Sequence, residues 1–208
     1  MDERARFENY VVGSANRLAV AAARAVADAP GAVYNPLFIY SGSGLGKTHL
    51  MHAIGNQAIA RNPSLSVEYV PLEEFVEQMH AATAAGEMDR FRTRYGRVGL
   101  LLVDDMQFLT GRRETQSALL LLLNTLQGSG RQIIMTSDRA PAEIPDVDER
   151  LISRLNGGLL VDIGAPEFAA DALHGPGVFE TLRGISEVVL RRLSAGSPTA
   201  STAGAGTR

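Results

Sequence analysis

No cysteine and no tryptophan occur among the 208 residues. The missing thiol excludes disulfide bridges, cysteine-ligated zinc or iron–sulfur centres, and a cysteine nucleophile. Long hydrophobic runs are missing too. The longest cover 98–103, interrupted by Gly99, and 118–123, well short of the roughly 20 residues a membrane-spanning helix needs. Nor is there a basic excess, since 20 Lys and Arg face 23 Asp and Glu for a net charge of −3. A globally basic nucleic-acid binder is not indicated, and any polyanion contact has to come from a local patch. The opening MDERARFENY is charged and lacks the apolar stretch of a secretory signal. A cytoplasmic protein is the expectation.

What remains is an ordinary globular complement, 45% hydrophobic and 21% charged. That is enough apolar matter for a core and argues against disorder of the whole chain. No repeat is visible at a period of 20–50 residues. The Ala-rich stretch 14–29 reads as a helix with Ser14 as its N-cap and Pro30 and Gly31 as its stop. LFIY after Pro36 reads as a buried strand. SGSGLGKTHL follows, and 48–60 has helical spacing. A second strand is expected over 66–71, helical structure over 72–95 with a break near Ala85 and Gly86, and a third strand over 98–103 running into Asp104 and Asp105. A helix over 114–127, closed by Gly128, leads to a fourth strand, RQIIMTSD, ending at Asp138. Strands alternating with helices imply an α/β three-layer sandwich with a mostly parallel sheet. Both faces of such a sheet are covered, which fits continuous runs such as LLLV and IIM. The pattern changes after Pro166. Residues 1–166 therefore read as one domain, 167–193 as weakly helical, and 194–208, built of small residues, as a disordered tail.

The strongest local signal is GSGLGKT, residues 42–48, between an apolar strand and a helix. Binding phosphate takes backbone N–H donors in a concave loop, a helix N-terminus and a cation. Gly42, Gly44 and Gly46 allow close backbone approach, with Leu45 between them. Lys47 is placed to reach the β- and γ-phosphates of ATP, and the Thr48 hydroxyl to ligate Mg²⁺. His49, next in the chain, is counted with this loop as a nucleotide-binding candidate. Ser41 stands where this motif usually begins with glycine, a change tolerated at negative φ and strained at positive φ. About 55 residues on, the strand over 98–103 carries Asp104 and Asp105 to its carboxyl end, where ligands of open α/β sheets sit. Asp104 is the expected Mg²⁺ partner, and Asp105 the expected group to orient or deprotonate the attacking water. Asp138, in Thr136-Ser137-Asp138, ends the next strand and is the candidate γ-phosphate sensor. His49 and His52 lack further ligands for a metal and read as helix packing.

Taken together, FENYVVGSANRLA (7–19), YNPLFIYSGSGLGKTHLMHAIGN (34–56), LLLVDDMQFLTGRRETQ (101–116), NTLQGSGRQIIMTSDRAPAEIP (124–145) and DERLISRLNGGLLVDI (148–163) resemble the ATPase domain of the bacterial chromosomal replication initiator family, DnaA, of the AAA+ class. The resemblance implies a P-loop fold with a five-stranded sheet, the fifth strand being GLLVDI at 158–163. It implies ATP or ADP with Mg²⁺ as ligands, Asp104 and Asp105 as the Walker B pair, Asp138 as sensor 1, and the segment 7–16 beside the adenine. Arg154 matches the arginine finger, which reaches the nucleotide of a neighbouring subunit, with Arg150 as a second cation there. Self-assembly, or assembly with a full-length initiator, follows from that role. In the family a helical lid with a sensor 2 arginine and a helix-turn-helix DNA-reading domain come next. Residues 167–193 match neither and read as a divergent or truncated lid remnant, in which nothing marks Arg183, Arg191 or Arg192 as sensor 2. SRLNGGL also departs from the family, with Leu155 and Gly157 where aromatics are usual.

Residues 87–97 carry Arg90, Arg92, Arg94 and Arg97 interleaved with Phe91 and Tyr95. On a helix Arg90 and Arg94 share a face, as do Phe91 and Tyr95. Two readings stand: a platform for single-stranded nucleic acid, or aromatics in the core with the arginines as a solvated face. In the family this region lines the channel that takes single-stranded DNA. Arg112 and Arg113 are further DNA candidates. The expected function is an ATP-binding, weakly hydrolysing protein of replication initiation whose nucleotide state controls assembly on origin DNA. Its rivals are an Hda-like regulatory adaptor of the initiator, a helicase loader, and a truncated remnant that does not initiate.

Overall fold

The computed structural model describes residues 1–164. The expected lid remnant at 167–193, the tail at 194–208, and with them Arg183, Arg191 and Arg192, lie outside the described residues. Five strands form one sheet: β1 (Leu37–Tyr40), β2 (Val67–Pro71), β3 (Leu100–Asp104), β4 (Gln132–Ser137) and β5 (Leu159–Asp162). All are parallel, in the order β2-β3-β4-β1-β5. The helices are α1 (Arg17–Asp28), α2 (Lys47–Arg61), α3 (Leu72–Ala85), α4 (Met88–Gly96), α5 (Arg113–Gly128) and α6 (Glu149–Leu155). No helix among the described residues is long and apolar enough to cross a membrane.

The period-2 pleat sorts the strand residues into two cores. Leu37, Ile39, Leu100, Leu102 and Ile134 point to one face and pack with Val20, Ala23 and Val26 of α1 and Leu50 and Ile54 of α2. Phe38, Leu101, Val103, Ile133 and Met135 point to the other and pack with Phe75 of α3, Tyr95 of α4, Leu119 and Leu123 of α5, and Leu151 and Leu155 of α6. This double burial is why the central strands read as unbroken apolar runs.

Most expected elements lie within two residues of their observed bounds, and the departures have local causes. The first helix starts at Arg17 rather than at Ser14, which is exposed. Its N-cap is Asn16, which makes no capping bond. The Asn16 side chain instead accepts from the Gly13 N–H at 2.8 Å and donates to the Val11 carbonyl at 2.9 Å, tying down the preceding loop. The third strand begins at Leu100 because Gly99 and Leu100 both donate to the Ser66 carbonyl at the entry to the sheet. Helical structure over 72–95 divides at Gly86, whose left-handed conformation (φ 71°) closes α3.

The sheet order brings the carboxyl ends of β3, β4 and β1 side by side. Tyr40 of β1 is registered with Ser137 of β4, and Val103 of β3 with Met135 of β4. The chain leaving β1 crosses to β2 at the far edge, so a crevice opens where connections diverge, the usual ligand position in such sheets.

Candidate nucleotide-binding site

The loop after β1 is shaped by glycines in left-handed conformation, Gly44 at φ 79° and Gly46 at φ 93°. A Cβ on Gly42 or Gly44 would meet nothing within 4 Å, whereas one on Gly46 would press the Tyr10 ring at 3.0 Å. Ser41 is not among the residues with positive φ, so its side chain is accommodated without strain. Lys47 is 9% exposed, and its Nζ donates to the Ser41 carbonyl at 2.8 Å and the Gly42 carbonyl at 2.9 Å. The cation is thereby held inside the loop. Gly46, the N-cap of α2, offers no capping side chain, which leaves the first-turn N–H groups without an internal partner. Loop, cation and helix terminus together suit an anion of several phosphates.

Opposite the loop, Asp104 ends β3 and is 3% exposed. Its Oδ2 accepts from the Thr48 hydroxyl at 2.8 Å and from the Tyr69 hydroxyl at 3.2 Å, and its Oδ1 accepts from the Thr136 hydroxyl. Burial and the adjacent Asp104 carboxylate push the Tyr69 phenol well above its ordinary range, so it stays a donor. The Thr136 oxygen in turn accepts from the Asp105 N–H at 3.1 Å. Asp105 adopts a left-handed conformation, φ 62° and ψ 52°, which costs a non-glycine residue about 1–3 kcal/mol. The Asp138 carboxylate is gripped by the Arg139 guanidinium at 2.7 and 2.8 Å. Those hydrogen bonds, with Arg139 and Lys47 charges nearby, hold its carboxyl below the usual range.

The donor set fits Mg²⁺. The Thr48 hydroxyl and Asp104 carboxylate are hard oxygen ligands in contact, and a cation that keeps waters and phosphate oxygens needs few protein ligands. No cluster of three or more His, Asp or Glu suitable for a metal occurs among the described residues.

The family model described as the bacterial DnaA ATPase domain matches residues 1–162. The chain belongs to this DnaA ATPase-domain family. A curated relative, the chromosomal replication initiator protein DnaA of Thermomicrobium roseum, is 50% identical over 167 residues, covering 80% of this chain and 36% of the relative. The solved domain III of the Thermotoga maritima replication initiation protein DnaA superposes with a TM-score of 0.78 at 41% identity, covering 81% of this chain and 70% of that one. A replication initiator DnaA bound to AMPPCP and single-stranded DNA gives 0.74 at 40% identity, covering 77% and 50%. The chain spans little more than a third of the length of the curated relative it matches.

Within this DnaA-family domain the other candidates separate. Arg154 is exposed on α6 and lines a groove of about 850 Å³ with Asn35 and Gly157, at the amino end of β1. The phosphate loop lies at the opposite end of that strand. Arg150 is paired with Asp148 at 3.0 Å. Phe7 is buried under the Arg24 guanidinium, 4.6 Å from its ring centre, while Tyr10 reaches the loop at Gly46. The His49 ring lies 5.5 Å from Tyr10, its Nε2 3.0 Å from the Arg6 carbonyl, so its side chain ties the N-terminal segment to α2. His52 packs edge-on against Tyr69.

The stacking platform on α4 is not formed. Tyr95 is wholly buried, its hydroxyl bonded to Gln78 at 2.7 Å, and Phe91 packs on Phe75 and Tyr95. Arg94 pairs with Glu68, and Arg90 with Glu87 at 3.6 Å. Helix amphipathicity explains this: the aromatic stripe is the buried stripe. Arg112 and Arg113 differ. They stand at the start of α5, the positive end of its dipole, and neither pairs with an acid among the described residues.

Three site neighbours carry no motif signal of their own. Tyr69, Gln107 and Thr136 all touch Asp104 or Asp105. Register across β2, β3 and β4 reveals Tyr69 and Thr136, which lie 31 to 35 residues from their partners, and the turn after Asp105 reveals Gln107.

Proposed function

We propose that this domain binds ATP with Mg²⁺, hydrolyses it slowly, and uses the nucleotide state to assemble on origin DNA. The observation that carries the reading is the 2.8 Å contact between Thr48 and Asp104, which joins the phosphate loop to the acidic end of β3. Lys47 and the first-turn amides of α2 bind and orient the phosphates. Thr48 and Asp104 hold Mg²⁺, which when bound neutralises charge on the β- and γ-phosphates. Asp105 accepts the proton of the attacking water, or fixes its direction, and Asp138 senses the γ-phosphate. The Arg154 guanidinium, at the far end of β1 from its own loop, is suited to a neighbour's phosphates, where it adds charge stabilisation only in the assembled state. Arg112 and Arg113, which pair with no acid among the described residues, are the favoured single-strand contacts, ahead of Arg90 and Arg94, which each pair with a glutamate. The solved relative with AMPPCP and single-stranded DNA supports both ligands.

The test is nucleotide titration of the native chain and two variants. Lys47→Ala should weaken ATP binding by about 100-fold, the loss expected for a buried charge-assisted contact. Unchanged affinity would remove the assignment. Arg154→Ala should keep ATP affinity within about twofold and lower assembly-dependent turnover by at least about tenfold. An equal loss of binding would place Arg154 outside any role in trans.

A further inference from the structure

One side chain touches both acids assigned to hydrolysis without belonging to the phosphate or metal shell. Gln107 lies in the 3-10 turn Met106–Leu109 that follows Asp105. Its Nε2–H donates to Asp105 Oδ1 at 2.9 Å, and its Oε1 accepts from the Asp138 N–H at 3.2 Å. The amide does both at once, whereas a carboxylate of the same length has no donor when ionised and an alkyl chain has neither group. The left-handed conformation of Asp105 reverses the chain after β3, which puts Gln107 within reach of β4. Two side chains thus stitch the ends of β3 and β4 together. Thr136 joins the Asp104 carboxylate to the Asp105 backbone, and Gln107 joins the Asp105 carboxylate to the Asp138 backbone.

We propose that Gln107 is a positioning residue that aims the Asp105 carboxylate and makes that aim depend on where the Asp138 segment stands. A displacement of Asp138, such as contact with a γ-phosphate would produce, moves the amide, and the amide moves the group that orients water. The inference rests on the reading of Asp105 and Asp138 as the hydrolytic pair. It adds a specific link between them: a two-ended hydrogen-bonded lever rather than two independent acids.

The coupling is measurable in the full chain without nucleotide. Asp105→Gly is the probe, because glycine accepts the left-handed conformation at that position. In the native background it should shift the Asp138 backbone amide resonance. With Gln107→Ala present, the same substitution should shift it less than about a third as far, since the link between the two acids is then missing. A shift of equal size in both backgrounds overturns the proposal. Kinetics supply the second readout. Gln107→Ala should slow single-turnover ATP hydrolysis by about tenfold, with the ATP Kd held within about twofold. Gln107→Glu keeps an acceptor for the Asp138 N–H and loses the donor to Asp105, so it should leave the Asp138 amide near its native position and still slow hydrolysis. Native-rate hydrolysis by Gln107→Glu overturns the proposal. If the native chain binds ATP and does not turn it over, the hydrolytic reading fails by itself, and the amide cycle still decides whether Gln107 links the two acids.

Discussion

Asp104 and Arg90 are both charged, and the protein treats them in opposite ways. Asp104 is 3% exposed and receives hydroxyl donors from three separate elements. Arg90 is 84% exposed at its side chain and meets one neighbour, the N-cap Glu87 of its helix, at 3.6 Å. The first charge is desolvated, so every partner counts and removal of one leaves a costly unmatched group. The second is screened by water and contributes little. A charged motif in a sequence therefore carries different weight at a sheet's carboxyl edge and on a helix's outer face. At the edge, burial fixes the geometry of every partner; on the face, the same charges stay hydrated and organise nothing.

The contrast between buried and hydrated groups can be tested by substitution. Tyr95→Ala should have the largest effect, destabilising the fold by about 3–5 kcal/mol in urea unfolding, as truncation of a wholly buried aromatic does. A near-neutral result would return the α4 aromatics to the surface. Thr136→Val keeps the shape and deletes the donor to Asp104, and should cost about 1–3 kcal/mol while weakening Mg²⁺-dependent ATP binding. If stability and binding are both native, the buried network is not what holds Asp104.

The paired replacement Arg112→Ala with Arg113→Ala should lower single-stranded DNA affinity and reduce the slope of log affinity against log salt by about 1.4, at about 0.7 for each phosphate no longer neutralised. Arg90→Ala should leave that slope unchanged and alter stability by no more than about 0.5 kcal/mol. Equal effects from the two sets would erase the distinction between paired and unpaired arginines.

His52 supplies a pH test of the buried side. Burial, with the nearby N-terminal charge, lowers its folded pKa below the ordinary 6.5. The unfolded chain then binds an extra proton between that lowered value and 6.5, so stability falls as pH drops through this window and is level above it. Urea midpoints at pH 7.5 and 5.5 should show the loss, and His52→Phe should diminish it. A native protein with identical midpoints at both pH values contradicts the lowered pKa.

Much of the fold is legible in short stretches of residues. LFIY, LLLV and IIMTS are too apolar and too short to be anything other than strands buried on two faces, and the helices between them carry ordinary spacing and stops. The phosphate loop is equally plain, because its glycines, lysine and threonine are contiguous. Ser14 shows where local reading fails: it looks like a cap, yet Asn16 is drawn into bonds with Gly13 and Val11, and the helix starts later. Phe91 and Tyr95 show the same limit on a larger scale. Their spacing fits a nucleic-acid platform and a core stripe equally well, and only the position of Phe75 decides for the core.

The element order, the loop that cradles phosphate, and the acids at the ends of two strands are each written within a few consecutive residues, and so need no folded context to be read. Tertiary structure alone decided which groups surround those acids. Tyr69, Thr48 and Thr136 converge on Asp104 through sheet order and strand register. It also decided which arginines are matched by an acid among the described residues. Both outcomes depend on distances between residues tens of positions apart, and burial, which sets the strength of every one of these contacts, exists only once the sheet and its two helical layers have closed.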